Sequence, residues 1–519
     1  MSRPGCSAAA DTASRRGVLG HVFTVSGFTA LSRVLGLVRE MMQSRLIGAG
    51  VEQSAFTLAF AIPNMARKLF GEGALTAAFV PVFKGLVAGG EVEAARRLAR
   101  AVLTMLLLIL GSTVVLVVAG LWAWSGCFDL SPRTELTLRL VRILFPYMIF
   151  ICGAAFGMGV LNALGRFVEG AVMPALLNVV WIVALGTLAF FPGLSLSVRV
   201  TAVCWAILAG GAAQMAFLFR CMAKRGYSPR IALSGFRDAN VSLVWRNTAI
   251  AAFGAGAVQV NCMLDQALAQ YAAPWAAGVI GYAERLMDLP LGVVGVAFDT
   301  VLLPTFAGLF AKGDAAGARQ ALASSTANLM FVMLPAAAGM CLLAPEITSV
   351  IYEGHAFDAV ATVRVSRALA VYALGLGFYG VQKALIPWFQ AQKDMKTPLR
   401  VSVYTVVLNA ALNILAVTLL PQEWRHVGLA TSTVVCAAVG CVLLGFAARR
   451  DGGLAALASA APAVMGILLA TAVMALALWF FRPALGGLCR IVALAAEIAI
   501  GAAAYLPLAW ALRRFSRRR

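Results

Sequence analysis

The sequence predicts an all-α polytopic membrane protein with about 14 transmembrane helices, arranged as two six-helix lobes plus two extra C-terminal helices. Of its 519 residues, 61% are hydrophobic and only 12% are charged. Soluble domains contain about 45–50% apolar and about 25% charged residues. The mean hydropathy is +0.88, and the apolar residues form runs of about 20 or more, long enough to cross a bilayer as helices. These observations exclude a soluble enzyme, a disordered chain and a disulfide-stabilised scaffold.

Fourteen apolar segments follow one another along the chain. Their limits are 18–47, 51–84, 98–126, 136–163, 168–191, 198–222, 243–271, 275–310, 320–345, 362–390, 398–420, 426–447, 455–481 and 486–512. The first, second and eighth segments carry charged residues together with glycine or proline, so we expect them to have the weakest hydropathy. Pro63 and Pro290 are expected to bend or break their helices. The polar N-terminal segment, 1–17, is expected to be a disordered cytoplasmic tail.

The basic residues that give the chain its net charge of +20 are distributed unequally between the two sides of the predicted membrane topology. If both termini are cytoplasmic, 26 lysine and arginine residues fall on inner segments and nine on outer loops. Cytoplasmic loops of membrane proteins are enriched in these residues, so the distribution favours an even number of spans. The basic residues therefore indicate membrane orientation and contact with anionic lipid, and no nucleic-acid partner is expected.

A repeated segment divides the chain into two lobes. Residues 81–96 and 304–319 match at eight of 16 positions, at an offset of 223 residues. Each copy follows a long, charged, proline-containing span, so spans 1–6 and 7–12 are expected to form homologous lobes of the same orientation. The predicted divisions are a tail at 1–17, an N-terminal lobe at 18–225, a C-terminal lobe at 240–450, two further spans at 453–512 and a basic cytoplasmic tail at 513–519.

Four arginines lie deep within predicted spans, where an unpaired charge is costly. Ser32, Gly36 and Arg39 share one helical face, and Arg33 lies on the same span. Arg67 follows Pro63, and Arg285 precedes Pro290. Arginine donates bidentate hydrogen bonds to phosphates and stays charged, so the set predicts a cationic cavity for an anionic substrate. The competing interpretation is structural ion pairing, with acids such as Glu40, Glu72 and Glu284 locking helices together.

A second group of polar residues contains several oxygen ligands. Asp265 lies on the seventh span, Asn409 and Asn413 are four residues apart on the eleventh, and Thr431 lies near the start of the twelfth. Together they form a candidate cation site, whereas each taken singly suits an interhelical hydrogen bond.

Motifs for catalysis and for structural metal binding are missing from the sequence. It contains no P-loop, HExxH, GxSxG or CxxC motif. The chain is therefore predicted to be a transporter with no catalytic residues, no bound metal and no cofactor.

Three motifs resemble the MurJ (MviN) lipid II flippase family of the MOP exporter superfamily. They are SRVLGLVREMMQSRLIGAG at 32–50, AFAIPNMARKLFGEGALTAAFVPVF at 59–83 and YAERLMDLPLGVVGVAFDTVLLP at 282–304. The resemblance extends over nearly the whole chain. It implies 14 helices, two lobes around a central cavity, and a groove on spans 13 and 14 for the polyprenyl tail of the lipid.

The resemblance also assigns roles to residues. The family's cavity arginines correspond to Arg33, Arg39, Arg67 and Arg285, and their acidic companions to Glu40, Glu72 and Glu284. A sodium site known in some members is similar to Asp265, Asn409, Asn413, Val427 and Thr431. Asn413 stands where an aspartate is expected, which weakens the case for ion coupling. Ser54 replaces an acid common in the family's second span.

The function implied is transfer of undecaprenyl-diphosphate-linked peptidoglycan precursor from the cytoplasmic to the periplasmic leaflet by alternating access. The chain is expected in the bacterial inner membrane, with lipid II and membrane lipids as partners and cell-wall synthesis or divisome proteins as further ones. Na⁺ or the membrane potential is the expected driving force. The alternatives are another MOP-type lipid-linked oligosaccharide flippase, a multidrug antiporter, a polyprenyl-phosphate enzyme or a scaffold for cell-wall enzymes. A cation-drug antiporter would require cavity acids, whereas four arginines favour an anionic lipid.

Overall fold

The computed structural model describes residues 5–71, 74–232, 235–236 and 238–518, and helices dominate throughout. The chain folds into two compact units, 1–263 and 264–519. The first unit contains helices α1 (Gly5–Ile47), α2 (Val51–Ala66), a π-helical turn (Arg67–Gly71), α3 (Ala74–Ala88), α4 (Val92–Cys127), α5 (Pro132–Leu144), α6 (Tyr147–Ala163), α7 (Val168–Ala171), α8 (Met173–Ala189) and α9 (Leu196–Lys224), together with most of α10 (Ala239–Ala272).

The second unit contains the remaining helices, including the two that follow the predicted repeat. They are α11 (Ala276–Ala311), α12 (Ala315–Leu342), α13 (Ala344–Tyr352), α14 (Ala359–Leu374), α15 (Leu376–Ala391), α16 (Lys396–Leu419), α17 (Gln422–Ala447), a 3₁₀ turn (Ala448–Asp451), α18 (Gly453–Leu485) and α19 (Arg490–Arg518). Among the described residues the sole β-type pairing is an isolated bridge between Gly354 and Phe357.

The helices correspond to the 14 predicted spans. Ten helical segments of the described chain are long and apolar enough to cross a membrane, and the α14–α15 pair, bent by 41°, makes an eleventh. Helices α1, α10 and α11, of 43, 34 and 36 residues, lie at the first, seventh and eighth predicted spans. The weak hydropathy expected of the first and eighth spans stays a prediction. The segment 51–88 contains the predicted second span, and its hydropathy of 1.3 is the smallest among the ten. The all-α polytopic fold class is therefore confirmed.

One local expectation is wrong, and the structure adds detail to others. Helix α1 begins at Gly5, whereas the sequence predicts a disordered tail as far as residue 17; the alanine-rich start of this segment has high helix propensity. The helix α11 continues through Pro290, so of the expected bend or break the break does not occur. The fourth predicted span is present as the segment Pro132–Ala163, with its helix interrupted at Phe145 and Pro146 between α5 and α6. The segment after α12 contains the short helix α13. Nine residues of mixed composition are too few to show a clear helical period.

The repeated segment has the same local structure in both copies. Gly90 ends the turn after α3 with φ of 77°, and its counterpart Gly313 follows α11 with φ of 71°. The next residues, Glu91 and Asp314, are the N-caps of α4 and α12. Asp314 accepts a hydrogen bond from the Gly317 amide at 2.7 Å. Glycine is favoured at both turns because a Cβ disfavours positive φ.

Replacing Gly313 by alanine is expected to destabilise this turn by about 1–2 kcal/mol. Apparent melting temperature in detergent measures the effect, and Gly308→Ala is the matched control. Gly308 is helical and a Cβ there would meet nothing within 4 Å, so its replacement should be neutral or stabilising. Equal melting of the two variants would show that the left-handed turn does not depend on glycine.

Each unit contains its own aromatic core. In the first, the Phe79 ring lies 5.1 Å from that of Phe83 and 4.9 Å from that of Phe156. In the second, fully buried Trp388 packs edge-on against Phe306 and Phe310 at 5.6 and 5.0 Å. The second cluster packs α15 against α11, the helix that carries Glu284 and Arg285.

Candidate functional sites

Arg39 of α1 is the predicted cavity arginine with the most complete set of partners. Its side chain is 13% exposed and forms an ion pair with Glu40. One terminal nitrogen donates to Asn178 Oδ1 at 2.9 Å, and the guanidinium lies 4.3 Å from the ring centroid of Trp181. The Nε atom is buried and makes no hydrogen bond. The side chain is thus held in one orientation with a donor left unsatisfied.

Asn178 connects the polar face of α1 to α8. Its amide nitrogen donates to the Ser32 carbonyl at 3.0 Å, while its amide oxygen accepts from Arg39. Asn178 is 6% exposed, so both halves of the amide are used where water is scarce. The predicted face of Ser32, Gly36 and Arg39 is therefore a close-packing polar surface, and Asn178 determines where Arg39 points.

A continuous aromatic cluster joins the surroundings of Arg39 and Arg67. The Phe60 ring lies 5.6 Å from that of Trp181 and 6.1 Å from that of Tyr147. Tyr147, 2% exposed, is within electrostatic range of both arginines. The structure thus brings Arg39 and Arg67 to one cluster of the first unit, although 28 residues of sequence separate them.

Arg67 lies at an irregular point of its span. It begins the π-helical turn that follows the proline-containing helix α2. Its Nε and one terminal nitrogen both donate to Asn64 Oδ1, at 3.1 and 2.9 Å. Single π turns inside helices are frequent at functional sites because they re-aim side chains. The predicted disturbance near Pro63 is present, and it positions Arg67.

The remaining predicted residues differ in their surroundings. Arg33 is an exposed residue of α1, and Arg285 is an exposed residue of α11 in the second unit. Glu284 accepts a hydrogen bond from the Tyr372 hydroxyl at 3.3 Å, which ties α11 to α14. Glu72 lies outside the described residues. Glu284 thus links two helices, as the competing structural interpretation predicts, whereas Glu40 forms its ion pair within α1.

Three of the five candidate cation ligands meet in the second unit. Asn413 Nδ2 donates to Asp265 Oδ1 at 2.6 Å and to Asn409 Oδ1 at 2.9 Å. Both asparagines are buried, at 1% and 3% exposure. The Thr431 hydroxyl, which is exposed, donates to the Val427 carbonyl of its own helix at 2.8 Å. The described residues contain no group of three or more His, Cys, Asp or Glu side chains suited to a metal.

These contacts do not fit a cation cage. The Asn413 amide points its donors at the two oxygens that a cation would need, and a single carboxylate is present to balance charge. The Asn413 amide thus links the two oxygens by hydrogen bonds, while its own Oδ1 is buried without a hydrogen-bond partner.

Replacing Asn413 by aspartate is expected to create a sodium requirement. Two carboxylates would face each other, so Na⁺ should stabilise the variant, by about 1.4 kcal/mol at ten times Kd. The measurement is apparent melting temperature in NaCl against N-methylglucamine chloride, with the unaltered chain insensitive to the exchange. Gln422→Glu adds the same charge at an exposed position and is the control. Equal sodium sensitivity of the two variants would contradict a local effect.

Sequence reasoning missed Asn178, Trp181, Asn64 and Tyr372. Asn178 and Trp181 are three residues apart on an otherwise apolar helix, so they share a face. A lone asparagine in such a span signals an interhelical contact. The sequence pattern does not identify its partner Arg39, which lies 139 residues earlier.

Comparisons with known proteins converge on one family. The family model described as lipid II flippase MurJ matches residues 43–512. The chain is 34% identical over 437 residues to a probable lipid II flippase MurJ of Rhizobium tropici, covering 83% of this chain and 81% of that protein. It is 32% identical over 440 residues to the lipid II flippase MurJ of Burkholderia cenocepacia, covering 83% and 84%.

Solved structures show the same fold. A lipid II flippase MurJ in an inward closed conformation matches with a TM-score of 0.77 and 22% identity, over 94% of this chain and 98% of the other. An inward-facing MATE-family multidrug resistance transporter of the MOP superfamily matches with a TM-score of 0.67 and 16% identity, over 83% and 98%.

Proposed function

The chain belongs to the lipid II flippase MurJ family, and we propose that it transfers lipid II from the cytoplasmic to the periplasmic leaflet of the inner membrane by alternating access. The orientation of Arg39 is the observation that supports a substrate carrying a diphosphate. Its guanidinium is fixed by Asn178, Glu40 and Trp181, yet its buried Nε has no acceptor. A diphosphate oxygen supplies that acceptor, since phosphate and guanidinium are matched in geometry and charge.

The proposed headgroup site uses the residues that the sequence identified. Arg33, Arg39 and Arg67 of the first unit are proposed to bind the diphosphate, with Ser32 and Glu40 as polar neighbours. Arg285 and Glu284 of the second unit stay predictions from the sequence, as does Glu72, which lies outside the described residues. Preorganisation supports this role, because an arginine already held in place loses little conformational entropy on binding. A ligand shifts a conformational equilibrium only through its differential affinity for the two states. The diphosphate therefore drives the cycle only if it binds one state more tightly.

Multidrug export is the weaker alternative. MATE transporters share the fold, but a cationic drug would meet the like charge of Arg39 and Arg67. The chain is proposed to act as a transporter without catalysis of its own. Because the Asn413 amide donates to the oxygens of both Asp265 and Asn409, we propose the membrane potential rather than Na⁺ at this cluster as the driving force.

The orientation proposed places both termini in the cytoplasm. The excess of basic residues on the inner segments supports it. In a variant whose ten native cysteines, among them the exposed Cys127 and Cys489, are replaced by alanine, cysteines introduced at Ser131 and at Asp394 report it by labelling with membrane-impermeant maleimide in intact cells. Label at 131 and none at 394 is expected; the reverse pattern overturns the orientation. Association with cell-wall synthesis or divisome proteins stays a prediction, to be tested by crosslinking in cells.

Leaflet-resolved measurement of lipid II tests the function directly. Rapid inactivation of this protein in its host should raise lipid II in the inner leaflet and lower it in the outer leaflet within one turnover of peptidoglycan precursor. Restoring the protein should reverse the change. An unchanged distribution, with the protein gone and no second flippase expressed, would contradict the proposed function.

A further inference from the structure

A cavity of about 450 Å³, lined by apolar and charged side chains, lies in the second unit where the α18–α19 hairpin meets α13 and the start of α14. Two ion pairs close it. Arg482 of α18 pairs with Glu346 of α13, and Arg490 of α19 donates to Glu353 at 2.8 Å and to Ser349 at 3.0 Å. Contact with Arg490 holds the pKa of the Glu353 carboxyl below its usual range, so this pair remains charged.

Two carboxylate oxygens in this cavity have no hydrogen-bond partner. Glu497 of α19 lines the cavity, is 3% exposed, and its buried Oε2 makes no hydrogen bond. Glu346 uses Oε1 for Arg482, and its buried Oε2 is likewise unsatisfied. The two acids interact electrostatically with each other. A buried charged acceptor without a partner costs several kcal/mol unless a ligand satisfies it.

The charges around the cavity do not balance. Three acids, Glu346, Glu353 and Glu497, face two arginines, Arg482 and Arg490, which leaves one negative charge for a ligand to neutralise. Thr362 adds a hydroxyl oxygen to the wall. The unsatisfied Oε2 atoms of Glu346 and Glu497, with the Thr362 hydroxyl, supply oxygen acceptors of the kind that the three N–H bonds of a primary ammonium require.

The cavity is also placed for a lipid. The neighbouring hairpin exposes large apolar side chains, with Trp479, Phe480 and Ile491 exposed by 74%, 70% and 65%. Aromatic residues of this kind concentrate at the headgroup level of a bilayer. Arg490, whose side chain is 68% exposed, lies at the rim and offers donors to a phosphate.

We propose that this cavity binds the headgroup of an ethanolamine phospholipid, with the ammonium on Glu497 and Glu346 and the phosphate on Arg490. The ligand joins α13 to the α18–α19 hairpin in addition to the existing ion pairs. This site is separate from the arginines assigned to lipid II, and it does not depend on the transport proposal.

The test is native mass spectrometry and thermal stability of the full chain, purified and delipidated in detergent. Added lipids are dioleoyl phosphatidylethanolamine, phosphatidylcholine and phosphatidylglycerol. Choline has the same charge as ethanolamine but no N–H donors, so it is the matched ligand. Wild-type chain should retain phosphatidylethanolamine about tenfold better than the other two, the factor expected for charge-assisted hydrogen bonds.

Glu497→Gln should reduce this preference to near unity, because glutamine keeps the shape but loses the charge. Glu135→Gln, an exposed acid of the first unit, should leave it unchanged. Equal retention of the three lipids by the wild-type chain overturns the proposal even if the variant fails to fold. Stabilisation by Mg²⁺ or Ca²⁺ without lipid, abolished by Glu497→Gln, also overturns it, since that result assigns the acids to a metal cation.

Discussion

Replacing Arg39 by alanine is expected to abolish lipid II transport while leaving the protein in the membrane at normal levels. The substitution removes the guanidinium that the structure holds between Asn178, Glu40 and Trp181. Each charged hydrogen bond lost to the diphosphate is worth about 1.5–3 kcal/mol, or at least about tenfold in affinity. Complementation of a strain depleted of its own flippase measures the effect, with protein quantified by immunoblot.

Two variants separate this effect from loss of charge alone. Arg39→Lys keeps the charge but loses the planar fork, so growth should be partial. Arg139→Ala removes an exposed arginine whose ion pair with Glu135 lies on one helical turn, and growth should be normal. Full growth of Arg39→Ala at wild-type protein level would refute a diphosphate contact at this residue.

Asn178→Leu is expected to have the second-largest effect, through the position of Arg39 rather than through the substrate. Leucine leaves the Arg39 terminal nitrogen and the Ser32 carbonyl without their partner, at a cost of about 1–3 kcal/mol for each buried group. Transport should fall more than about tenfold, and the apparent melting temperature should fall with it.

Asn178→Asp separates the two roles of the Asn178 amide, which accepts a hydrogen bond from Arg39 and donates one to Ser32. Aspartate keeps an acceptor for Arg39 but loses the donor to Ser32, so it should retain more transport than leucine does. Thr187→Val, on the same helix with its hydroxyl bonded to Val183, controls for substitution on α8. If leucine and aspartate impair transport equally, the acceptor for Arg39 does not explain the effect.

Hydropathy and charge were enough to predict the spans because each helix must bury its backbone polar groups in itself. The same reasoning identified Arg39 as costly, since its position within an apolar run is a property of the local sequence. Sequence alone could not identify Asn178 as the partner of Arg39, because this contact depends on how α1 packs on α8. The cavity at Glu497 could not be predicted for the same reason, because Glu346, Arg482 and Glu497 lie on three different helices.

The division of one predicted span into α5 and α6 has a simpler cause. Pro146 lacks the amide that would continue the helix, and Phe145 before it ends the first segment with a hydrogen bond to Val141. Composition alone could not distinguish a bend from a full break at this point. Pro290, by contrast, lies within a continuous helix, which shows how far packing can offset the loss of one hydrogen bond.

The equivalent turns at Gly90 and Gly313 bear on the ancestry of the chain. Side chains in the two copies of the segment differ at half of the positions, yet both copies retain glycine at the residue with positive φ and an acid at the N-cap that follows. Tandem duplication of a shorter gene accounts for this pattern. After duplication, exchange of surface and core side chains was tolerated, whereas the backbone of the turn limited which mutations could be fixed.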